Sequence, residues 1–292
     1  MAVHPDELGV SATSTIREIN GIDLHVVTAG DPTDPTVVLL HGFPECWYGW
    51  HNQIAPLVEA GYHVVVPDQR GYNASEKPTG VSAYRLSALV ADVASLITSQ
   101  SDSAAVVGHD WGGVVAWALA IERPELVDRL AILNAPHPDA FTKTLATTPA
   151  QLRRSWYMLF FQLPVLPEFV WERTDPSPLQ RALEDGARPG AFSKADIERY
   201  RQAWNQPGAK TAMLNWYRAL VRYPPLQSGG PVVALTLVLW GQRDSALVPE
   251  LGPRSLGYCV DGRLERVPEA THWLHHEFPD RVSALLVDHL QR

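Results

Sequence analysis

Apolar and polar positions alternate from Ile16 to Thr28 on either side of Asn20-Gly21. Asn-Gly between two strand-like runs predicts a tight β-hairpin. The pattern then changes. Thr36 to Leu40 is an unbroken β-branched and aliphatic run, and Tyr62 to Pro67 is another. Such runs suit strands covered on both faces. Trp47 to Ala60 reads as a helix ended by Gly61, and Ala88 to Thr98 as a second helix. Ala104 to Gly108 reads as a strand, Gly112 to Ile121 as a small-residue helix, and Arg129 to Leu133 as a strand. Strand and helix alternate throughout, which predicts an α/β architecture: a mostly parallel sheet with helices on both faces.

The alternation stops near Pro138. From there to about Pro225 the chain is rich in Pro and aromatic residues, with helical patches at Leu152 to Phe161, Lys194 to Trp204 and Ala209 to Val221. Strand and helix return at Val233 to Trp240, Leu264 to Val267 and Pro279 to Leu290. The middle segment therefore reads as a helical lid inserted in the α/β core. The expected division is core at 1–137 and 229–292 with the lid at 138–228. The hinges would lie near Pro138 and near Ser228-Gly229-Gly230-Pro231.

Composition narrows the partners. Of 292 residues, 46% are hydrophobic and 19% charged, an ordinary globular balance, and the formal net charge is −8. An acidic chain with no Lys/Arg run argues against nucleic acid or an anionic membrane as partner. Cys46 and Cys259 are the only cysteines, which gives neither a disulfide framework nor a metal spacing. Met1 to Val10 has no basic segment followed by an apolar one, and no apolar run reaches membrane-spanning length, so a cytoplasmic protein is expected. Monomer and homodimer are both compatible with the sequence.

Gly108-His109-Asp110-Trp111-Gly112 carries the chemistry. It sits between a strand and a helix with the G-x-x-x-G spacing of a nucleophile elbow, a strained turn that lifts one side chain above the sheet. Here that side chain is a carboxylate, and the helix N-terminus favours its anion. Taken alone, an Asp capping a helix after a strand is common. The surroundings strengthen the reading. His41-Gly42-Phe43-Pro44 follows the strand ending at Leu40, where a loop can aim a backbone N–H at the elbow. With the Trp111 N–H, the Phe43 N–H would form an oxyanion hole. Beyond the lid, Asp244 follows one late strand and His272 follows the last. The order nucleophile, acid, histidine is that of hydrolases built on such a sheet. The other place for the acid is after Leu133, but Asn134-Ala135-Pro136 supplies none. His275 and His276 rival His272, but they fall in what should already be the next helix.

A carboxylate nucleophile suits displacement at saturated carbon, which leaves an alkyl ester of Asp110. His272 would then take a proton from water, which attacks the ester carbonyl, while Asp244 orients the imidazole. The leaving group decides the substrate. A halide needs only hydrogen-bond donors, whereas an oxirane oxygen needs a proton, which a tyrosine can give at neutral pH. The lid offers Tyr157 in Trp156-Tyr157 and Tyr217 in Asn215-Trp216-Tyr217-Arg218, with Tyr200 and Tyr223 as further candidates.

At these residues the chain resembles the soluble epoxide hydrolases of the α/β-hydrolase fold. The resemblance rests on His41-Gly42-Phe43-Pro44-Glu45 through Trp47-Tyr48, on Pro67-Asp68-Gln69-Arg70-Gly71-Tyr72, on Gly108 to Gly113 and on the two lid tyrosine segments. It runs from about Ile16 to Pro279 and is weakest between Pro167 and Pro207. It implies Asp110 as nucleophile, His272 and Asp244 as its partners, and Tyr157 and Tyr217 as acids. It also implies Phe43 and Trp111 as oxyanion donors, a cis peptide before Pro44 and no cofactor. Two departures stand out: Asn73 where many relatives carry Gly, and the unusual His275-His276 after His272-Trp273. The aromatic lid, with Trp156, Phe160, Phe161, Phe169, Trp171 and Trp204, suggests an apolar epoxide, with Trp111, Trp156, Phe160 and Trp273 lining its pocket. Two other readings compete. A haloalkane dehalogenase would use the same Asp with the Trp111 indole on the halide, but Phe43 lacks the donor such enzymes place after His-Gly. A non-catalytic binder of a small ligand would keep the fold without the chemistry.

Overall fold

The computed structural model describes residues 8–174, 176–224 and 230–292. Strands β1 (Ala12–Ile19) and β2 (Ile22–Ala29) form the expected hairpin, with Ile19 opposite Ile22. Asn20 and Gly21 both have positive φ, 50° and 71°, the backbone that a two-residue hairpin turn requires. Beyond them run β3 (Thr36–Leu40), α1 (His51–Glu59), β4 (His63–Pro67), α2 (Leu86–Thr98), β5 (Ala104–His109), α3 (Asp110–Glu122) and β6 (Val127–Leu133). Every residue of β3, β4 and β5 is buried, which is why those stretches carry no alternation. Each Val or Leu there contributes about 1.5–3 kcal/mol by burial, and a one-residue slip would misplace the whole set.

The eight strands pair in the order β1-β2-β4-β3-β5-β6-β7-β8, antiparallel at β1/β2 and β2/β4 and parallel elsewhere. Among the described residues, only helices lie between β6 and β7: α4 (Pro138–Thr147), α5 (Pro149–Arg154), α6 (Trp156–Phe160), α7 (Leu166–Arg173), α8 (Pro178–Glu184), α9 (Lys194–Trp204) and α10 (Ala209–Arg222). These occupy the segment expected as the lid. Of the proposed second hinge, Ser228 and Gly229 fall outside the described residues. The core resumes with β7 (Leu235–Gly241), α11 (Leu251–Leu256), β8 (Gly262–Val267), α12 (Leu274–Glu277) and α13 (Pro279–Leu290). Helix α1 packs on α13 and α2 on α3, giving the two helical layers. No helix among the described residues is long and apolar enough to cross a membrane.

The strand order places the site. After β3 the chain crosses to β4 on one side, then returns to β5 on the other, so β3 and β5 meet at a switch point. Ligands of such sheets bind beyond the carboxyl ends of the strands at that point. The segments leaving β3, β5, β6, β7 and β8 all emerge there, carrying Phe43, Asp110, Asn134, Asp244 and His272.

The elbow at the end of β5 is as tight as its glycines imply. Asp110 has φ +49°, a left-handed conformation that costs a non-glycine residue about 1–3 kcal/mol. A Cβ on Gly112 would lie 2.1 Å from the Leu40 carbonyl oxygen, and one on Gly108 would lie 2.5 Å from the Gly112 oxygen. Neither obstacle is a flexible side chain, so β3 and α3 would have to separate. Gly112→Ala is accordingly expected to destabilise the protein by about 3 kcal/mol or more. The measurement is the shift in urea midpoint; a shift of less than about 0.3 M would show that the elbow accommodates the methyl.

Candidate active site

Asp110 stands at the first position of α3, its side chain about one-fifth exposed. Its Oδ1 accepts a hydrogen bond of 2.8 Å from the Phe43 backbone N–H, and its Oδ2 lies 3.5 Å from His272 Nε2. Gly42 lets the loop come this close, since a Cβ there would lie 2.5 Å from the Asp110 Cβ. The loop is fixed from behind: the Gln69 N–H donates to His41 Nε2 at 3.0 Å and its side-chain amide to the His41 carbonyl at 2.5 Å. The Phe43-Pro44 peptide is cis, as the resemblance implies. Asn73, the residue standing where many relatives have Gly, takes φ +41° and donates to Asp68 Oδ2 at 2.7 Å.

His272 Nδ1 is 2.7 Å from Asp244 Oδ2. The Asp244 carboxylate is fully engaged: Oδ1 accepts from the backbone N–H of Ala246 (2.7 Å) and Leu247 (2.9 Å), and Oδ2 also accepts from Asn134 Nδ2 (2.5 Å). Asn134 in turn accepts from the Gly241 N–H at 2.7 Å. Burial opposes ionisation of Asp244, but the His272 charge and these hydrogen bonds prevail and hold its carboxyl below the ordinary range. Burial likewise opposes protonation of His272. The Asp244 charge and the contacts to Asp110 outweigh it and raise the imidazole well above its usual pKa.

Two tyrosines come from the helices between β6 and β7. Tyr157, on α6, and Tyr217, on α10, face each other with ring centroids 5.9 Å apart. Tyr217 stands edge-on to Phe43 (5.2 Å), Trp111 (5.0 Å) and Phe161 (4.9 Å). Burial first, and then nearby negative charge including that of Asp110, pushes both phenols above their usual pKa, so each stays protonated at neutral pH. The two tyrosine segments are tied together: Gln162 donates to the Tyr217 carbonyl at 3.1 Å, and Arg218 to the carbonyls of Phe161 (3.0 Å) and Leu163 (2.9 Å).

The structure thus brings Asp110, His272, Asp244, Phe43, Trp111, Tyr157 and Tyr217 together, and it corrects the expected pocket wall. Trp156 is 64% exposed. A helix turns about 100° per residue, so with Tyr157 inward its predecessor Trp156 is rotated toward solvent. Phe160 is half-buried behind Phe161, against Trp156. Phe161 and Trp171 are the buried aromatics of this segment that reach Phe43, with ring centroids each 5.9 Å from it. Phe169 is exposed, and Trp204 is buried, donating to the Pro44 carbonyl at 2.5 Å. Trp273 lies beside His272 (5.0 Å) and is pinned by a 3.2 Å hydrogen bond to the Ala182 carbonyl. Tyr200 is fully buried below Glu45, and Tyr223 is exposed.

Two groups escaped the sequence reading. Asn134 holds Asp244 although its own loop has no acid. Gln151 and Arg154, on α5, bind the loop after Asp244: Arg154 donates to the carbonyls of Asp244 (2.7 Å) and Leu247 (2.6 Å), and Gln151 accepts from the Val248 N–H at 2.9 Å. A polar residue at a strand end is the only signal for Asn134, and none marks the other two.

A family profile described as the alpha/beta hydrolase fold matches residues 35–279. The chain is 46% identical over 273 residues to the AB hydrolase superfamily protein YfhM of Bacillus subtilis, covering 93% of this chain and 96% of that one. It is 36% identical over 286 residues to epoxide hydrolase 4 of Mus musculus, covering 96% and 79%. Among solved structures, the epoxide hydrolase of Bacillus megaterium in complex with an inhibitor superposes with a TM-score of 0.87 at 29% identity, over 95% of this chain and all of that one. With this fold, these relatives and a carboxylate at the elbow faced by a buried histidine–aspartate pair, the chain belongs to the epoxide hydrolase family of the α/β-hydrolase fold.

Proposed function

We propose that the protein opens an oxirane to a vicinal diol through a covalent ester of Asp110. One observation carries this reading: a single carboxylate has one oxygen held by the Phe43 N–H, the other facing His272, and two protonated phenols across from it. Asp110 Oδ2 attacks a ring carbon. The carbon–oxygen bond breaks and its electron pair goes to the oxirane oxygen, which takes a proton from Tyr157 or Tyr217. Esterification removes the Asp110 charge that helps to raise the His272 pKa, so the imidazolium gives its proton through solvent to the phenolate and becomes the neutral base. His272 takes a proton from water, and the hydroxide adds to the ester carbonyl. The resulting negative charge develops on Oδ1, where the Phe43 N–H, joined by that of Trp111, receives it. Collapse of the adduct expels the diol, which leaves with the adduct's hydroxyl proton. The proton taken from water stays on His272, which, beside the regenerated Asp110 carboxylate, is again in its starting form. Chain and water supply every group in this sequence.

The aromatic wall of Phe43, Trp111, Phe161 and Trp171 favours an apolar or aromatic epoxide. Styrene oxide and a fatty epoxide, assayed for diol, test the substrate class beside a chloroalkane assayed for chloride. Diol without chloride is the expected result; chloride release without diol would assign the site to dehalogenation. Tyr157→Phe combined with Tyr217→Phe is expected to lower epoxide opening by about 10³-fold or more with the circular dichroism spectrum unchanged, since proton transfer in such steps is worth about 10²–10⁴-fold. Activity within threefold of wild type would leave the tyrosines as packing alone.

A further inference from the structure

Against His272, starting from His109 with ring centroids 4.8 Å apart, lies a second group of polar residues that the reaction does not use. Glu45, His109, His275 and His276 are all buried, and Glu45, His109 and His275 have side chains with no exposure at all. Glu45 Oε2 is 3.0 Å from His109 Nδ1 and 3.5 Å from His275 Nε2. The three ligand atoms all lie within 4.8 Å of one another.

The hydrogen-bond inventory of this group does not close. His275 forms no hydrogen bond from either ring nitrogen. Trp50 covers its ring at 5.1 Å, so no water-facing side relieves it. His109 has the opposite difficulty: both of its nitrogens face oxygen acceptors, Nδ1 the Glu45 carboxylate and Nε2 the His272 carbonyl at 2.9 Å. A neutral imidazole carries one N–H and can satisfy only one of them. One added cation would accept lone pairs from His275 Nε2 and His109 Nδ1 and charge from Glu45, leaving only His275 Nδ1 of these atoms without a partner.

We propose that Glu45, His109 and His275 bind one divalent metal ion of the zinc type. Two imidazoles and one carboxylate form a recognised zinc donor set, with bonds of about 2.0–2.2 Å. Donor atoms around such an ion stand about 3.4 Å apart, so a pair at the 4.8 Å limit would draw together by about 1.4 Å on binding. The outer partners are already in place. His109 Nε2–H donates to the His272 carbonyl, which leaves Nδ1 as the free lone pair. The other oxygen of Glu45 is held by His276 Nε2 at 2.7 Å and by the Tyr200 hydroxyl at 3.1 Å. The three ligands come from the loop after β3, which carries Phe43, from the end of β5, next to Asp110, and from α12, just after His272. The ion would staple these segments together, and its role is positional.

Because the site is sealed, the metal must be present while the chain folds. The test is therefore the tag-free full chain produced in minimal medium supplemented with cobalt(II), desalted in chelator and analysed for metal. The expected result is about one cobalt per chain with the intense visible absorption of a low-coordinate site. Thermal unfolding should come on the order of 5 °C higher than for protein made without transition metal. His275→Gln, which keeps a donor for Glu45, should lose the cobalt and that increment together. Cobalt below about 0.1 per chain in the wild type, a weak octahedral spectrum, or full retention in His275→Gln would each overturn the proposal. The wild-type measurements decide it even where the variant does not fold.

Discussion

Asp110→Asn is expected to reduce diol formation by about 10⁴-fold or more, the scale on which removal of a covalent nucleophile acts. The change is otherwise mild. Asn tolerates the left-handed backbone at φ +49°, and its side-chain oxygen can still accept from the Phe43 N–H. What disappears is the anionic oxygen at the Oδ2 position, 3.5 Å from His272. An amide nitrogen there cannot displace oxygen from saturated carbon. Binding should survive, because the aromatic wall is untouched, and quenching of the Trp111 region's fluorescence by a diol reports it. Turnover within tenfold of wild type would remove Asp110 from the chemistry. Lost turnover with unchanged binding also excludes the reading of the fold as a ligand receptor.

His272→Gln separates the two halves of the reaction. Attack by Asp110 needs no base, so the variant should still consume one equivalent of epoxide. Ester hydrolysis should then stall, with steady-state turnover falling by about 10³-fold or more. Intact-mass spectrometry should find the chain heavier by the mass of one epoxide, on the peptide that contains Asp110. A variant that shows neither burst nor adduct would mean that His272 acts in the first step. One that hydrolyses at near wild-type rate would mean that His275 or His276 is the base. The structure speaks against the latter, since both lie in α12 beside Glu45.

How much of this was legible in the sequence depends on the range over which each signal acts. Strands β3, β4 and β5 were readable because full burial leaves an unbroken apolar run. The elbow was readable because its glycines answer to backbone atoms a few residues away, and the order of Asp110, Asp244 and His272 follows from chain topology. Strand ends were less sharp: a strand expected from Val233 begins at Leu235, and one expected from Arg129 begins at Val127. The lid wall failed for a geometric reason. Adjacent aromatics on a short helix look alike in sequence, but helical rotation sends Tyr157 and Phe161 inward and Trp156 outward. Asn134 was passed over because an acid was sought at that strand end, and the residue there serves an acid on the next strand. The Glu45, His109 and His275 group was invisible because its members lie far apart along the chain and share no spacing pattern.

The central claim is that oxygen moves to the substrate from Asp110 and to Asp110 from water. A single turnover in 18O-water, with enzyme in excess over epoxide, tests it most directly. The account predicts an unlabelled diol and one 18O in the peptide containing Asp110. Label in the first diol with none in Asp110 would mean direct attack by water and would contradict the ester route.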